Sequence, residues 1–395
     1  MTNADKSMSD GGAAERDAFS RPQTHLTIVI PHFNQEQFLP RAVASVLSGE
    51  TRGIEIIIVD DGSTNDAEPV LRALEATDPC VTVIRGEKNQ GVTTVINIGL
   101  AAARGSYVTF LGADDFIMPD AYAALVRALD DNPRAALGCG QIALVGDDGG
   151  LRGIRPVTPP SFGAAYLDPS TICRRIEKTD HWIASASAVF RTDLLRAVGG
   201  FDVSLGVFSD VVVARILAFE HGFVYVPGIR AVFRVAASTF SGSTLLDQDE
   251  NIRQLAIARE RLSASIVGRV APDYPDLFAR RFRFSAARRQ LLWNRPSADP
   301  DVIVKVAGGT DSDAKALTAI RENIGFGTAG RAFAVIWLTV RLRPFSLLHL
   351  IAHSLWNKVT YARNRQRITD WICRMEDAGQ KIMAGVETQP SRSAQ

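Results

Sequence analysis

The sequence has few cysteines and no long apolar run, and each shortage excludes a class of protein. Its four cysteines stand far apart, with neither a CxxC pair nor a zinc-ligand spacing, so we expect reduced thiols and no disulfide framework. The apolar run at residues 332–340 is much shorter than the roughly 20 residues that cross a bilayer. With 46% hydrophobic and 22% charged residues, the composition is that of a globular protein and is too polar for a multi-span membrane protein.

The small net charge of +1 hides an uneven distribution. From Asn251 onward there are 23 Lys and Arg against 12 Asp and Glu, so about +11 lies in the last third and about −10 in the rest. Because the length of 395 residues also exceeds one average domain, we expect two modules. A basic module can meet nucleic acid, an anionic membrane surface or an acidic partner, and charge alone does not choose among them.

The first 24 residues are polar and small, and they contain no apolar segment of the kind found in a signal peptide. We expect residues 1–24 to form a disordered tail, because such a composition cannot bury enough apolar surface to fold. The expected location is therefore cytoplasmic, with peripheral contact at the inner face of the membrane as an extension of that expectation.

Short apolar runs rich in β-branched residues alternate with helical patterns from residue 26 onward. The runs at 26–31, 54–60, 81–84 and 107–111 predict buried strands, and helical spacing predicts helices at 37–47, 68–76, 92–104 and 121–130. The alternation predicts an α/β fold with a mostly parallel sheet flanked by helices. Ligands of such sheets bind beyond the carboxyl ends of the strands.

Beyond residue 244 the pattern is helical, with almost no strand signal. Helices are predicted at 247–266, 274–292, 313–323 and 332–363, and Pro344 breaks the last of them. We therefore divide the chain into the tail, an α/β domain at residues 25–240 and a basic, all-helical C-terminal module at residues 241–395.

Two Asp-rich turns follow predicted strands, Asp60-Asp61-Gly62-Ser63 after the second and Asp114-Asp115 after the fourth. Carboxylates that cluster at one edge of a sheet repel each other, so a fold that keeps them there needs a cation or hydrogen-bond donors. A nucleoside diphosphate bound with Mg²⁺ or Mn²⁺ meets both needs. The alternative for either turn alone is ordinary turn and helix-capping chemistry, in which Asp and Gly are favoured.

Five blocks of the sequence, taken in order, resemble the family-2 glycosyltransferases, which have a GT-A fold. They are TIVIPHFNQEQFLPRAVASVL, IEIIIVDDGSTND, NQGVTTVINIGLAAARGSYVTFLGADDFIMPDA, VGGFDVSLGVFSDVVVARIL and FVYVPGIRAVFRV. Five ordered blocks are far more specific than a single motif. The resemblance implies a metal-dependent, inverting enzyme that moves a sugar from a nucleotide-diphosphate donor to a hydroxyl of a polysaccharide, lipid-linked or protein acceptor.

The resemblance also implies which residues bind the donor. Contacts to uridine or another nucleoside fall on the loops after the first three strands, at Pro31, Asn34, Asp60, Asp61, Asn89 and Gly91. Asp114 and Asp115 match the metal-binding DxD region of the family, so they would hold Mg²⁺ or Mn²⁺ and the donor. In the family an Asp often precedes this pair, and Gly112 stands at that position here.

Asp210 matches the catalytic base of the family, a carboxylate that takes the proton of the acceptor hydroxyl. Ser209 replaces the Glu that precedes the base in the family. The alternative is that Asp210 only stabilises the dipole of the helix that it opens. Arg234 matches a position that can pair with phosphate, although an ordinary ion pair is an equal reading. Asp202, in the GGFD turn, is predicted to be structural.

Two further positions bear on the same site. Many relatives carry a His shortly after the Arg at position 234, and Val235 and Ala236 stand there in this chain. His181 and Trp182 precede the segment expected on the acceptor side, where an aromatic ring can stack on a sugar. A buried core position is the alternative for Trp182, and it is the one that we favour.

The segment at residues 331–367 combines two apolar stretches with seven basic residues and no acidic ones. This pattern predicts contact with the membrane interface, and a helical hairpin packed on the α/β domain is an equal alternative. A second basic cluster comprises Arg280, Arg281, Arg283, Arg288 and Arg289. Nucleic-acid binding ranks last, because no stacking module or DNA-binding motif accompanies these charges.

Two other functions are compatible with the sequence. A non-catalytic nucleotide-sugar binding or scaffold protein would account for Gly112, Ser209 and the missing His. A receiver-like domain that accepts phosphate on Asp60 or Asp61 also has an acidic α/β sheet. That fold needs a Lys after its last strand and ends near about 120 residues, so a glycosyltransferase fits better.

Overall fold

The computed structural model describes residues 25–179, 182–235, 248–293, 299–344 and 347–387, without the side chains of residues 248, 292–293, 347–358 and 385–387. The predicted disordered tail, His181 and Ala236 lie outside the described residues. So does most of the segment around the predicted domain boundary at residue 240.

A ten-stranded sheet forms the centre of the described structure. Its strands are β1 (Leu26–His32), β2 (Ile54–Asp60), β3 (Val81–Arg85), β4 (Tyr107–Phe110), β5 (Phe116–Ile117), β6 (Leu137–Val145), β7 (Leu151–Arg155), β8 (Ala165–Leu167), β9 (Val189–Arg191) and β10 (Phe223–Arg234). They lie in the order β3-β2-β1-β4-β9-β6-β10-β5, with β7 paired to β6 and β8 paired to β10.

Helices cover the sheet and continue beyond it. In the first part of the chain they are α1 (Leu39–Leu47), α2 (Glu68–Thr77), α3 (Val92–Ala102), α4 (Ala121–Asp130), α5 (Pro169–Ile176), α6 (Thr192–Ala197) and α7 (Ser209–His221). Short 3₁₀ segments span Ser185–Ser187 and Val203–Phe208. The later helices are α8 (Gln248–Ala264), α9 (Ile266–Val270), α10 (Tyr274–Trp293), α11 (Pro300–Ala307), α12 (Asp311–Ile324), α13 (Thr328–Leu342) and α14 (Leu347–Glu387).

The four strands predicted from apolar runs are confirmed, and they pair in parallel. Strands β1 and β2 are buried along almost their whole length, as a strand covered on both faces must be. The second half of the sheet is mixed, because β9 runs antiparallel to both β4 and β6. Strand β10 nevertheless pairs in parallel with β6, so the predicted sheet flanked by helices is confirmed, with antiparallel strands added in its second half. Strands of two or three residues, such as β5 and β9, are too short to show a period in the sequence.

The C-terminal helices share their core with the sheet. Tyr274 and Phe278 of α10 are buried in one apolar cluster with β6, α7 and β10. At the far end of the chain, Trp371 and Ile372 of α14 are buried in another cluster with β1, β2 and α1. Prediction of an all-helical extension is confirmed in the described part of the chain, and its last helix folds back onto the α/β domain. None of the described helices is both long and apolar enough to cross a bilayer.

Candidate functional site

The site begins where β1 and β2 end side by side. His32 and Asp60 are register partners at the last position of the two strands, and both are buried. The Nδ1–H of His32 donates to Asp60 Oδ1 at 2.8 Å, while His32 Nε2 accepts the backbone N–H of Gln35 at 3.3 Å. Asp60 also accepts the hydroxyl of Ser63 at 2.5 Å and its backbone N–H at 3.2 Å. The Asp60 carboxylate is thus surrounded by donors and holds the start of the second loop.

Asn34 joins the loop after β1 to the loop after β2. Its φ of 51° is in the left-handed region, which Asn tolerates better than most residues. From this conformation its side-chain oxygen accepts the backbone N–H of Thr64 at 2.9 Å, and its own N–H donates to the Ser63 hydroxyl at 3.0 Å. The predicted nucleoside contact at Asn34 therefore lies at a junction between two loops.

Asp61 joins the second loop to the third. Its two oxygens accept the backbone N–H groups of Gln90 at 2.7 Å and Gly91 at 2.9 Å. The loops approach closely because Gly62 has no side chain: a Cβ there would lie 2.6 Å from the backbone of Lys88. Both Asp61 oxygens are thus engaged in loop geometry.

The other predicted nucleoside contacts lie around this junction. Pro31 is partly buried in β1 opposite Val59, Asn89 is exposed in the third loop, and Gly91 caps the start of α3. The structure therefore brings the loops that carry these residues together at one edge of the sheet. Their contact with a nucleoside stays a prediction.

Asp114 and Asp115 form a second acidic group, in the turn between β4 and β5. Both carboxylates are buried. Asp115 Oδ1 accepts the backbone N–H of Arg234 at the end of β10, at 2.8 Å. Asp114 Oδ2 makes no hydrogen bond to the described residues and lies 3.5 Å from Arg234 Nη1. Unlike the Asp60 and Asp61 pair, this pair has few donors for its charge.

Burial has a direct electrostatic consequence for this pair. Burial raises the pKa of Asp114. The pKa of Asp115 is raised well above its usual range, mainly by burial and to a smaller extent by the negative charge of Asp114. Both shifts mean that the two negative charges are poorly compensated at this edge of the sheet. A cation bound between the carboxylates would relieve this imbalance.

Gly112 explains how the site differs from the common acidic pattern. A Cβ at this position would lie 2.7 Å from Asp115 Oδ2 and 3.3 Å from Asp114 Oδ1. An acidic residue at position 112 would therefore require the Asp115 carboxylate to move. In this structure the Asp114 and Asp115 carboxylates occupy the space beside Gly112 that a side chain at position 112 would need.

Two arginines stand beside the carboxylates. Arg234 pairs with Asp114 and with the more exposed Asp147, and its guanidinium stacks on the Phe38 ring at 4.3 Å. Arg41, on α1, stacks on the same ring and on Phe116 at 4.6 and 4.8 Å. Burial, and only secondarily the charge of Arg234, lowers the pKa of Arg41. The ion pair that was the alternative for Arg234 is present.

No group of three or more His, Cys, Asp or Glu side chains that could hold a metal occurs among the described residues. Asp114 and Asp115 nevertheless fit Mg²⁺ or Mn²⁺, because they offer hard oxygen ligands, one of which is buried and receives no hydrogen bond from any residue that the structure describes. Mg²⁺ in proteins is often bound by one or two carboxylates, with phosphate oxygens and waters as the other ligands. The residues present therefore suit a cation that arrives with a diphosphate.

Asp210 is the second residue of α7 and partly buried. Its Oδ1 accepts the backbone N–H of Val211 at 2.7 Å. Burial raises the pKa of Asp210, which suits a base that must hold a proton. The contacts described for Asp210 include neither Asp114 nor Asp115, so its catalytic role stays a prediction.

The structure also shows where Asp202 and Trp182 lie. Asp202 accepts the N–H of Ser204 at 2.9 Å and pairs with Arg261, which are the contacts of a structural capping residue. Trp182 is buried in an apolar cluster, so the core position is confirmed and its ring is not available for stacking on a sugar.

Sequence reasoning missed three residues near the site. His32 and Arg41 lie within the first resembling block, but only the fold shows that they face Asp60 and the carboxylate pair. Trp371 is 254 residues from its partner Ile117, so no local pattern could reveal it.

The comparison with known families agrees with this geometry. Residues 27–196 match the model of glycosyl transferase family 2, and this range contains the first three of the five blocks that resemble the family. An uncharacterized glycosyltransferase of Haemophilus influenzae is 37% identical over 95 residues, which are 24% of this chain and 38% of that protein. Chondroitin synthase of Escherichia coli is 36% identical over 96 residues, which are 24% of this chain and 14% of the synthase. The chain thus spans well under half the length of these relatives.

Solved structures confirm the architecture. The S. aureus protein TarS, in complex with UDP-GlcNAc, superposes with a TM-score of 0.54 at 16% identity, covering 80% of this chain and 90% of that one. A second TarS structure gives a TM-score of 0.51 over 71% of this chain and 48% of that one. The fold is therefore the GT-A glycosyltransferase fold, extended by C-terminal helices.

The loop junction generates a first prediction. In Asp61→Asn, one end of the side chain becomes an amide that cannot accept from Gln90 or Gly91, so the third loop loosens. We expect UDP, used without metal, to bind about 1–3 kcal/mol more weakly, since hydrogen bonds to a charged group contribute about that much. Calorimetric titration measures this, with Asp66→Asn, an exposed acid of the same loop, as the control. Unchanged affinity in Asp61→Asn would place the nucleoside elsewhere.

Proposed function

We propose that the protein is a glycosyltransferase that moves a sugar from a nucleotide-diphosphate donor to an acceptor hydroxyl. The observation that carries the proposal is the buried, undercompensated carboxylate pair Asp114–Asp115, at the same sheet edge as the loop junction of Asn34, Asp60 and Asp61. Support comes from the family match, from a relative that is a chondroitin synthase, and from a structural neighbour that binds UDP-GlcNAc.

Different groups of residues bind different parts of the nucleotide-sugar donor. The loops after β1, β2 and β3 bind the nucleoside, and their rigidity comes from Asn34 and Asp61. Asp114 and Asp115 would hold Mg²⁺ or Mn²⁺, and the bound ion would supply positive charge that stabilises the departing nucleoside diphosphate. Arg234, already at the carboxylates, offers its guanidinium to a phosphate oxygen.

Asp210 is the proposed base. Its carboxylate takes the proton of the acceptor hydroxyl as that oxygen attacks the sugar carbon, and one such displacement inverts the configuration of that carbon. The hydrogen bond from Val211 N–H holds the carboxylate at the start of α7. The acceptor is a glycan, lipid-linked or protein hydroxyl.

The metal proposal predicts a sharp difference between two acids. Asp115→Asn keeps an acceptor for Arg234 N–H but removes a charged ligand, so UDP-sugar turnover with Mn²⁺ should fall by about 10²–10³-fold. Asp147→Asn, which removes the other acid at Arg234, is the matched control and should retain most activity. Donor hydrolysis or transfer assayed over a Mn²⁺ series measures both. Full wild-type activity in excess EDTA would contradict the metal dependence.

The base proposal is tested by Asp210→Asn. Asn cannot take a proton, and loss of a positioned base typically costs about 10²–10⁴-fold in rate, so turnover should collapse while UDP binding is kept. If Asp210 only stabilises the helix dipole, the rate should stay and stability should fall by about 0.3–1 kcal/mol. Steady-state rates and thermal melts separate the two outcomes.

A wild-type protein that binds UDP-sugars tightly but transfers and hydrolyses none would favour the binding-protein alternative, with Ser209 as the first residue to examine.

We further propose that the C-terminal helices place the enzyme at the cytoplasmic face of an anionic membrane. On α13, Phe333, Ile336 and Val340 lie three and four residues apart on one helix face and are 55%, 44% and 68% exposed. The surrounding residues 331–367 carry seven basic and no acidic side chains. An exposed apolar stripe within basic surroundings suits an anionic lipid interface.

Vesicle binding tests this surface. A Phe333→Ser, Ile336→Ser, Val340→Ser triple variant should lose at least about tenfold in binding to phosphatidylglycerol-containing vesicles, because each buried apolar side chain contributes about 1.5–3 kcal/mol. Ile324→Ser, an equally exposed apolar residue on α12, is the control. Sedimentation with anionic and with neutral vesicles gives the comparison. Equal binding by wild type and triple variant would contradict the proposal.

A further inference from the structure

The last described helix reaches the strand that follows the carboxylate pair. Trp371 of α14 donates its indole N–H to the carbonyl oxygen of Ile117 at 2.9 Å, and both residues are buried. Ile117 lies two residues after Asp115. A residue at the far end of the chain thus fixes the backbone next to the acidic turn.

Strand β5 needs such support because it is short and lies at the edge of the sheet. It has two residues, Phe116 and Ile117, and among the described strands it pairs only with β10. The outward N–H of Ile117 donates to the Ser45 hydroxyl at 3.1 Å, and its outward carbonyl accepts from Trp371. Side chains of α1 and α14 therefore take the place of a neighbouring strand, which an edge otherwise lacks.

A second contact joins α14 to the same region. Glu376 lies 3.5 Å from Arg41 Nη1, and a Cβ at Gly379 would be 3.0 Å from the Arg41 backbone nitrogen. The Arg41 guanidinium stacks on Phe116, the residue directly after Asp115. The helix thus contacts both the edge strand and the arginine that borders the carboxylates.

From these contacts we infer that α14 is a working part of the donor site and that Trp371 is a positioning residue for Asp114 and Asp115. The inference rests on the proposed function. The indole N–H holds Ile117 and with it the turn that aims both carboxylates at the cation and the diphosphate. Groups that orient metal ligands from behind typically change metal affinity by about 10–100-fold when they are removed.

Trp371→Phe in the full chain tests the inference, because it removes the N–H donor while keeping an aromatic ring in the core. The Mn²⁺ concentration that half-saturates UDP binding should rise by about tenfold, while UDP binding in EDTA, which depends on the Asp61 junction, should not change. Ser45→Ala removes the opposite support of Ile117 and should shift the Mn²⁺ requirement in the same direction. It provides a milder variant if Trp371→Phe folds poorly.

The matched control is Ile372→Ala, a buried residue of the same helix. It should lower the free energy of unfolding by about 2–4 kcal/mol through the lost packing, yet leave the Mn²⁺ requirement of the folded protein unchanged. An unchanged Mn²⁺ requirement in both Trp371→Phe and Ser45→Ala would overturn the inference alone. An equal shift in Ile372→Ala would do the same, since any loosening of α14 would then suffice. If the wild type instead bound UDP with the same affinity in Mn²⁺ and in EDTA, the metal site of the proposed function would be overturned, and the inference with it.

Discussion

Two adjacent carboxylates buried at the end of β4 are the constraint around which this site is arranged. Burying one charge without a partner is costly, and burying two neighbours adds their repulsion. The fold meets this cost with the backbone N–H of Arg234 on β10, with the guanidiniums of Arg234 and Arg41, and with a glycine that leaves room for the acidic side chains. Part of the negative charge of the two carboxylates remains uncompensated. This charge would attract a divalent cation that arrives with a diphosphate.

The contrast between the two acidic turns shows that similar sequences can do different work. Asp60 accepts hydrogen bonds from His32 and Ser63, and Asp61 accepts them from Gln90 and Gly91. These donors compensate the two charges and join three loops. Asp114 and Asp115 receive fewer donors, and burial raises the pKa of both. The first pair joins neighbouring loops, whereas the second pair, under our proposal, would bind a cation. The number of donors around each carboxylate is the difference on which this distinction rests.

The sequence predicted the parts of the fold that depend on residues close together in the chain. Apolar runs at β1 and β2 and the two acidic turns could be read directly, because burial on both faces and turn chemistry leave short-range signals. The antiparallel strands β5 and β9 could not, since two or three residues show no period. Arg41 and Trp371 were missed for another reason. Their importance depends on partners such as Glu376 and Ile117, which lie 335 and 254 residues away.

The most direct test of the account is a crystal structure of the protein with UDP and Mn²⁺, with the metal located by its anomalous scattering. The account predicts a metal peak within coordination distance, about 2.0–2.4 Å, of an Asp114 or Asp115 oxygen, and a uridine against the loops of Asn34 and Asp61. A metal bound elsewhere, or a uridine away from the loop junction, would contradict it.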